Sequence, residues 1–218
     1  MAKIIIIGGH GEVARRLAPL LVARGDEVTG VFRNADHEAD VAATGARPVV
    51  ADVEQMDVAE LAALLRGHDA VVWSAGAGGG NPARTYAVDR DAAVRTIDAA
   101  EAAGVDRFVM VSYVGARTDH GVPEDDPFFA YAEAKAAADE HLRASGLAST
   151  ILGPGALTLD DPTGLIDVLD PELTHDRTDV TRGDVAAVAA ASLADDTTVG
   201  RTIAFRNGDR PIAEALRG

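Results

Sequence analysis

Lys3-Ile4-Ile5-Ile6-Ile7-Gly8-Gly9-His10-Gly11-Glu12-Val13-Ala14, residues 3–14, is the stretch on which the fold turns. The isoleucine run has no polar interruption, as expected for a parallel strand covered on both faces. Two glycines end it. Val13, Leu17, Leu20 and Leu21 then recur at helical spacing until Arg24-Gly25 closes the helix. Strand, glycine loop and helix therefore follow one another in the order that a dinucleotide-binding turn requires. Gly8 allows the sharp turn, and Gly11 lets the backbone approach a pyrophosphate. Ala14 is small enough for close helix–strand packing. Gly9, His10, Glu12 and Val13 complete the loop, whose helix start offers free N–H groups to an anion. Glu12 is an odd neighbour for a phosphate, so its side chain is expected to face solvent.

Outward from this unit the same alternation continues. Strands are expected at Glu27–Phe32, Pro48–Ala51, Ala70–Trp73, Arg107–Val111 and Ser149–Leu152, the last broken by Gly153-Pro154-Gly155. Helical stripes are expected around Val58–Leu65, over Ala83–Ala103 and over Phe128–Ser145, closed by Gly67, Gly104 and Gly146. The pattern is lost from Gly155 to about Arg182, where Pro, Asp and Thr dominate. That stretch, 155–182, reads as an irregular segment over the substrate side. A helix at Asp184–Leu193 and a strand at Arg201–Phe205 follow. The expectation is an α/β fold of Rossmann type: one doubly wound parallel sheet, helices on both faces, in a single domain over residues 1–218.

Composition narrows the function. Asp and Glu outnumber Lys and Arg 35 to 20 among 218 residues, a formal charge of −15. Such a chain should repel nucleic acid and anionic membranes, and an anionic cofactor must be held by local donors. No apolar run approaches the ~20 residues of a membrane span, and the opening run is too short for a signal-peptide core. There are no cysteines, so thiolate chemistry is excluded. The six histidines lack H-x-H and H-E-x-x-H spacing, so no catalytic metal is expected. Cytoplasm is the expected location, and a monomer or homodimer acting on a small molecule the expected state.

The remaining motifs fall at the C-terminal ends of the predicted strands, the edge where open α/β sheets bind ligands. Arg33-Asn34 follows the second strand, where an NAD-specific site usually carries an acidic ribose reader. A guanidinium there suits a 2′-phosphate. This favours NADP(H), with NAD(H) possible. Asp52 and Val53 follow the third strand, placed to accept from an adenine amino group and to pack on the ring. Ala75, Gly76 and Ala77 open a glycine-rich loop, Ala75–Gly80, that can run beside the ribose and pyrophosphate. Tyr131 and Lys135 lie four apart on one helix face. A tyrosine can protonate a carbonyl oxygen when a nearby ammonium lowers its pKa. Lys135 could do this while touching a ribose, and Ser112 could hold the same oxygen.

With these residues in view, the chain resembles the short-chain dehydrogenase/reductases of the atypical, NAD(P)H-binding or NmrA-like branch. The likeness rests on Gly8-Gly9-His10-Gly11, Arg33-Asn34, Ala51-Asp52, Ala75-Gly76-Ala77-Gly78, Val88-Asp89 and residues 103–112. It continues through Tyr131-Ala132-Glu133-Ala134-Lys135, Ser145-Gly146-Leu147, Gly153-Pro154-Gly155 and Asp184-Val185-Ala186. It implies a bound nicotinamide cofactor, with Pro154 beside it, and a catalytic set of Tyr131, Lys135 and Ser112. Tyr113 stands where that branch usually has a second serine, and Gly153 where an arginine often precedes Pro-Gly. Two functions are compatible with the branch. One is an NADPH-dependent reductase of a small carbonyl, quinone-like or flavin-like compound. The other is a non-catalytic regulatory protein that senses NADP(H).

Overall fold

The computed structural model describes residues 1–78, 81–170 and 178–217. β1 (Lys3–Ile7) leads into α1 (Glu12–Ala23), and β2 (Glu27–Phe32) into a single 3-10 turn (Ala35–His37) and α2 (Glu38–Ala43). Then come β3 (Arg47–Val50), α3 (Val58–Leu65) and β4 (Ala70–Trp73). One long helix follows: α4 (Pro82–Thr85), a π-helical stretch (Tyr86–Ala92) and α5 (Ala93–Ala103). β5 (Arg107–Val111), α6 (Phe129–Ala144) and β6 (Ala148–Pro154) complete the central part. The C-terminal part holds β7 (Ala156–Thr158), β8 (Leu165–Leu169), β9 (Asp179–Thr181), α7 (Arg182–Ala194), β10 (Arg201–Asn207), β11 (Arg210–Pro211) and α8 (Ile212–Ala215).

The nine-stranded sheet runs β11-β8-β10-β6-β5-β4-β1-β2-β3. Its seven members from β10 to β3 pair in parallel, and β8 and β11 add an antiparallel edge. This is the Rossmann-type α/β fold. The strand order reverses beside β1, which pairs with β2 on one side and β4 on the other. Ligand crevices form at such a switch point.

The isoleucines of β1 explain the layering. Alternate residues of a strand face opposite sides. Ile4 and Ile6 join a core with Leu17 and Leu21 of α1 and Val185 and Val188 of α7. Ile5 and Ile7 join another with Leu61 and Leu65 of α3, Ile97 of α5 and Leu142 of α6. All four isoleucines are at most 1% exposed. At about 1.5–3 kcal/mol for each fully buried side chain, β1 is a principal anchor of both layers.

Two expectations need correction. β6 does not break at Gly153 but continues to Pro154, because Gly153 and Pro154 still pair with Ala204 and Phe205 of β10. Pro154 ends the strand, where its missing N–H matters least. The stretch 155–182 is not wholly irregular: β7 pairs with β9 in a separate two-stranded sheet, and β8 joins the main sheet. These strands are only three to five residues long and lie among Pro, Asp and Thr, which hid them. Residues 79–80 of the glycine-rich loop and 171–177 of that stretch lie outside the described residues. α2 went unread because Val41 is its one buried anchor and sets no period.

Candidate functional site

Two clefts open along the C-terminal edge of the parallel strands, and both are lined by Ser74, Ala75 and Gly76. The first, about 290 Å³, lies over β1, β2 and β3. The second, about 590 Å³, lies over β4 and β5 and against α6. Together they form one trough across the switch point.

The glycine loop is the floor of the first cleft. Gly8 has φ +90° and Gly9 follows; both N–H groups donate to Val31 O of β2, at 3.0 and 2.7 Å. A Cβ on Gly8 would lie 2.6 Å from Ala75 N, and one on Gly9 2.7 Å from Gly30 Cα. The loops after β1 and β4 thus meet at backbone distance. Gly11 caps α1 without any side-chain bond to its first turn. The first N–H groups of α1 remain available to an anion. Glu12 turns back along α1, where its carboxylate bonds Arg15 and Arg16. The Arg16 hydrogen bond, ahead of the other causes, holds its pKa below the ordinary value. Val13 is buried beneath the second cleft.

His10, Arg33, Asn34, Asp52, Val53, Ala75 and Gly76 all line the first cleft. Asn34 also caps the 3-10 turn by accepting from Asp36 N–H at 3.1 Å. Asp52 accepts from Glu54 N–H at 3.2 Å, a turn contact that uses one carboxylate oxygen. Arg84 is a lining cation that the strand-end reasoning missed, because it comes from α4. Glu54 lies between the two arginines, 3.8 Å from Arg33 and 3.6 Å from Arg84. Arg84 also donates to Ala77 O at 2.8 Å, which fixes its direction.

The second cleft has an apolar mouth of Pro127, Phe128, Ala130 and Leu157, with Tyr131 on its wall. Tyr113, Phe128 and Tyr131 form a mutual ring cluster with centroids 5.2–5.5 Å apart. Beneath lies a buried polar group. Lys135 is 1% exposed and donates its Nζ to Val111 O at 2.8 Å. Ser112 donates to Asp139, whose other oxygen, Oδ1, is buried without a partner. Asp89, carried on the π-helical stretch, accepts from Ala77 N–H at 3.0 Å and hooks the glycine-rich loop to the helix. π-helical turns often sit at functional sites.

The electrostatics here run against one sequence expectation. Burial, then the Asp89 and Asp139 carboxylates, raise the Tyr131 pKa above its ordinary value. The Lys135 ammonium donates to Val111 O rather than to the Tyr131 hydroxyl. Burial lowers the Lys135 pKa and raises those of Asp89 and Asp139. Burial likewise pushes the Tyr113 hydroxyl up to about 12. Of the predicted catalytic set, Tyr131, Lys135 and Ser112 all line one cleft, but Ser112 and Lys135 spend their polar atoms inward. Ala77 lines the same cleft. Pro154 lies in β6, buried, and lines neither cleft; its carbonyl accepts from Val114 N–H at 2.9 Å.

The donor set fits a nicotinamide dinucleotide. It offers backbone N–H groups at a helix start, glycines at which a Cβ would collide with neighbouring backbone, cations over the first cleft and a second chamber continuous with it. Comparison with known proteins agrees. A family model described as NAD(P)H-binding matches residues 8–196. A Bacillus subtilis (strain 168) protein named as an uncharacterized sugar epimerase, YhfK, is 36% identical, with 99% of each chain covered. A solved Bacillus halodurans structure, whose description reads "Putative NAD-dependent epimerase/dehydratase", superposes with TM-score 0.91 at 33% identity. The match covers 100% of this chain and 99% of that one. The Lactococcus lactis oxidoreductase ylbE superposes with TM-score 0.85 at 30% identity, covering 99% and 95% of the two chains. Among the described residues no helix is long and apolar enough to cross a membrane.

Proposed function

The chain belongs to the NAD(P)H-binding family, and from that premise we propose that it is an NADPH-dependent reductase of a small carbonyl, quinone-like or flavin-like compound. The observation that carries this reading is the two-part trough: a first cleft lined by the glycine loop, Arg33 and Arg84, sharing Ser74, Ala75 and Gly76 with a more apolar second cleft that holds Phe128 and Tyr131. Arg33 and Arg84 are the two guanidiniums of the first cleft that would hold the 2′-phosphate of NADP(H), with Glu54 between them and Asp52 also on the lining. A bound nicotinamide would supply the hydride chemistry. The protein's part is to orient and to hold a proton. Tyr131 keeps its proton across the neutral range, since burial opposes its ionisation. It is therefore a ready donor to a substrate oxygen, though a weak acid. Lys135 acts as a positioning residue that braces β5 from below.

The mouth of Pro127, Phe128 and Leu157 favours a flat apolar substrate over a sugar, whose hydroxyls would find few partners there. The regulatory reading has one observation in its favour: Ser112 and Lys135 are not free to touch a substrate. NADPH oxidation with a panel of quinones, flavins and small aldehydes separates the two. The reductase reading expects turnover with at least one planar acceptor. Tight NADPH binding with no turnover on any of them would favour the sensor.

A further inference from the structure

The rim of the first cleft brings His10 of the glycine loop together with two groups from the segment after β2. His10 comes from the glycine loop, His37 ends the 3-10 turn, and Asp40 lies three residues on, one turn into α2. Their ligand atoms all lie within 4.8 Å of one another. His10 Nε2 is 3.2 Å from Asp40 Oδ2. Two ligands of a tetrahedral zinc ion, each at about 2.0–2.1 Å, are themselves roughly 3.3 Å apart. That pair already has the spacing of adjacent ligands. We infer that His10, His37 and Asp40 form a binding site for a divalent transition-metal ion of the zinc, nickel or cobalt class.

The donor types select the ion. Two imidazoles and one carboxylate suit these borderline cations, whereas magnesium and calcium prefer all-oxygen sites. Linear spacing could not reveal the site, because His10 is 27 and 30 residues from its partners and the fold alone joins them. The imidazoles now lie face to face, 3.6 Å between centroids and 3° from parallel. Parallel rings cannot both aim a lone pair at one ion, so one ring must turn about its outer torsion, which is soft. Both histidines are partly exposed and have room to do so. Three protein ligands leave a fourth position for water. An ion there would clip the start of α2 to the glycine loop, at the edge of the adenosine side of the trough.

The test is calorimetric titration of the tag-free, chelator-treated full chain with Zn²⁺, with Co²⁺ absorption as a second readout of tetrahedral nitrogen–oxygen coordination. The expected result is one ion per chain. Binding should weaken by about tenfold or more in His37→Ala and in Asp40→Asn. Both positions are at the surface, so the variants should fold. His141→Ala and His120→Ala, which remove the partners of Asp98 and Glu133 elsewhere, should bind as the wild type does. Absence of Zn²⁺ uptake at micromolar concentration, or uptake unchanged by His37→Ala, would overturn the site.

Discussion

At the scale of single residues, the proposed preference for NADP(H) rests on Arg33 and Arg84. Each reaches Glu54 across the first cleft, and neither is buried enough to serve packing alone. NADPH should bind at least about tenfold tighter than NADH, about 1.4 kcal/mol. Arg33→Ala with Arg84→Ala should remove most of that difference while NADH affinity stays within a few-fold. Calorimetry with both cofactors checks this, and equal affinity in the wild type would refute it. Tyr131 is the proposed proton donor. Tyr131→Phe keeps the ring cluster with Tyr113 and Phe128, so cofactor affinity should hold. Turnover should fall by about 10², the usual scale for losing a general acid. Because the pKa is raised, the wild-type rate should show no alkaline limb from this group below about pH 10. A limb near neutrality that Tyr131→Phe abolishes would mean that a cation does reach the hydroxyl. This pH behaviour was not legible in the sequence. The i,i+4 spacing put Tyr131 and Lys135 on one face, but spacing cannot tell that the ammonium bonds a β5 carbonyl.

At the scale of elements, the β1–α1 loop and the α6 helix carry the account. The loop was legible almost residue for residue, because strand, glycines and helix impose hard steric requirements in sequence. Its two close approaches predict different failures. Gly11 lines the first cleft and a Cβ there would sit 3.1 Å from Gly8 O, whereas one at Gly9 would strike Gly30 of β2. Gly11→Val should abolish NADPH binding with unchanged far-UV circular dichroism. Gly9→Ala should lower the melting temperature as well. If Gly11→Val still binds NADPH, the nucleotide lies elsewhere. In α6, Asp139 is buried with one oxygen unpartnered. Burial raises its pKa, so the folded state holds this proton more tightly than the unfolded chain. That contribution to stability is complete below the unfolded value of about 3.9 and is lost as pH rises through the raised folded value. Asp139→Asn escapes the loss. Its melting temperature relative to wild type should rise as pH increases from below about 3.9 to the alkaline side. An unchanged difference across that range would show that the carboxyl is not held protonated.

For the whole molecule, the sheet order places every predicted loop on one edge, and this is why motifs far apart in sequence meet in one trough. Elements such as β1, β2, α3 and α5 were readable because a buried parallel strand leaves an unbroken apolar run and a half-buried helix leaves a period. β7, β8 and β9 were not, because three to five residues set no period and their pairing is non-local. Arg84 and the His10–His37–Asp40 rim were hidden for a related reason: each joins the site from a neighbouring element rather than from a strand end. The central claim is that an NADP(H) molecule spans the switch point with its nicotinamide in the second cleft. A crystal structure of the chain with saturating NADPH tests this most directly. The expected density is a pyrophosphate on the N–H groups at the start of α1, an adenosine phosphate beside Arg33 and Arg84, and a nicotinamide ring beside Tyr131. Cofactor density confined to the separate cavity of Tyr113, Arg117 and Arg143, or a nicotinamide outside the cleft of Tyr131 and Phe128, would contradict it.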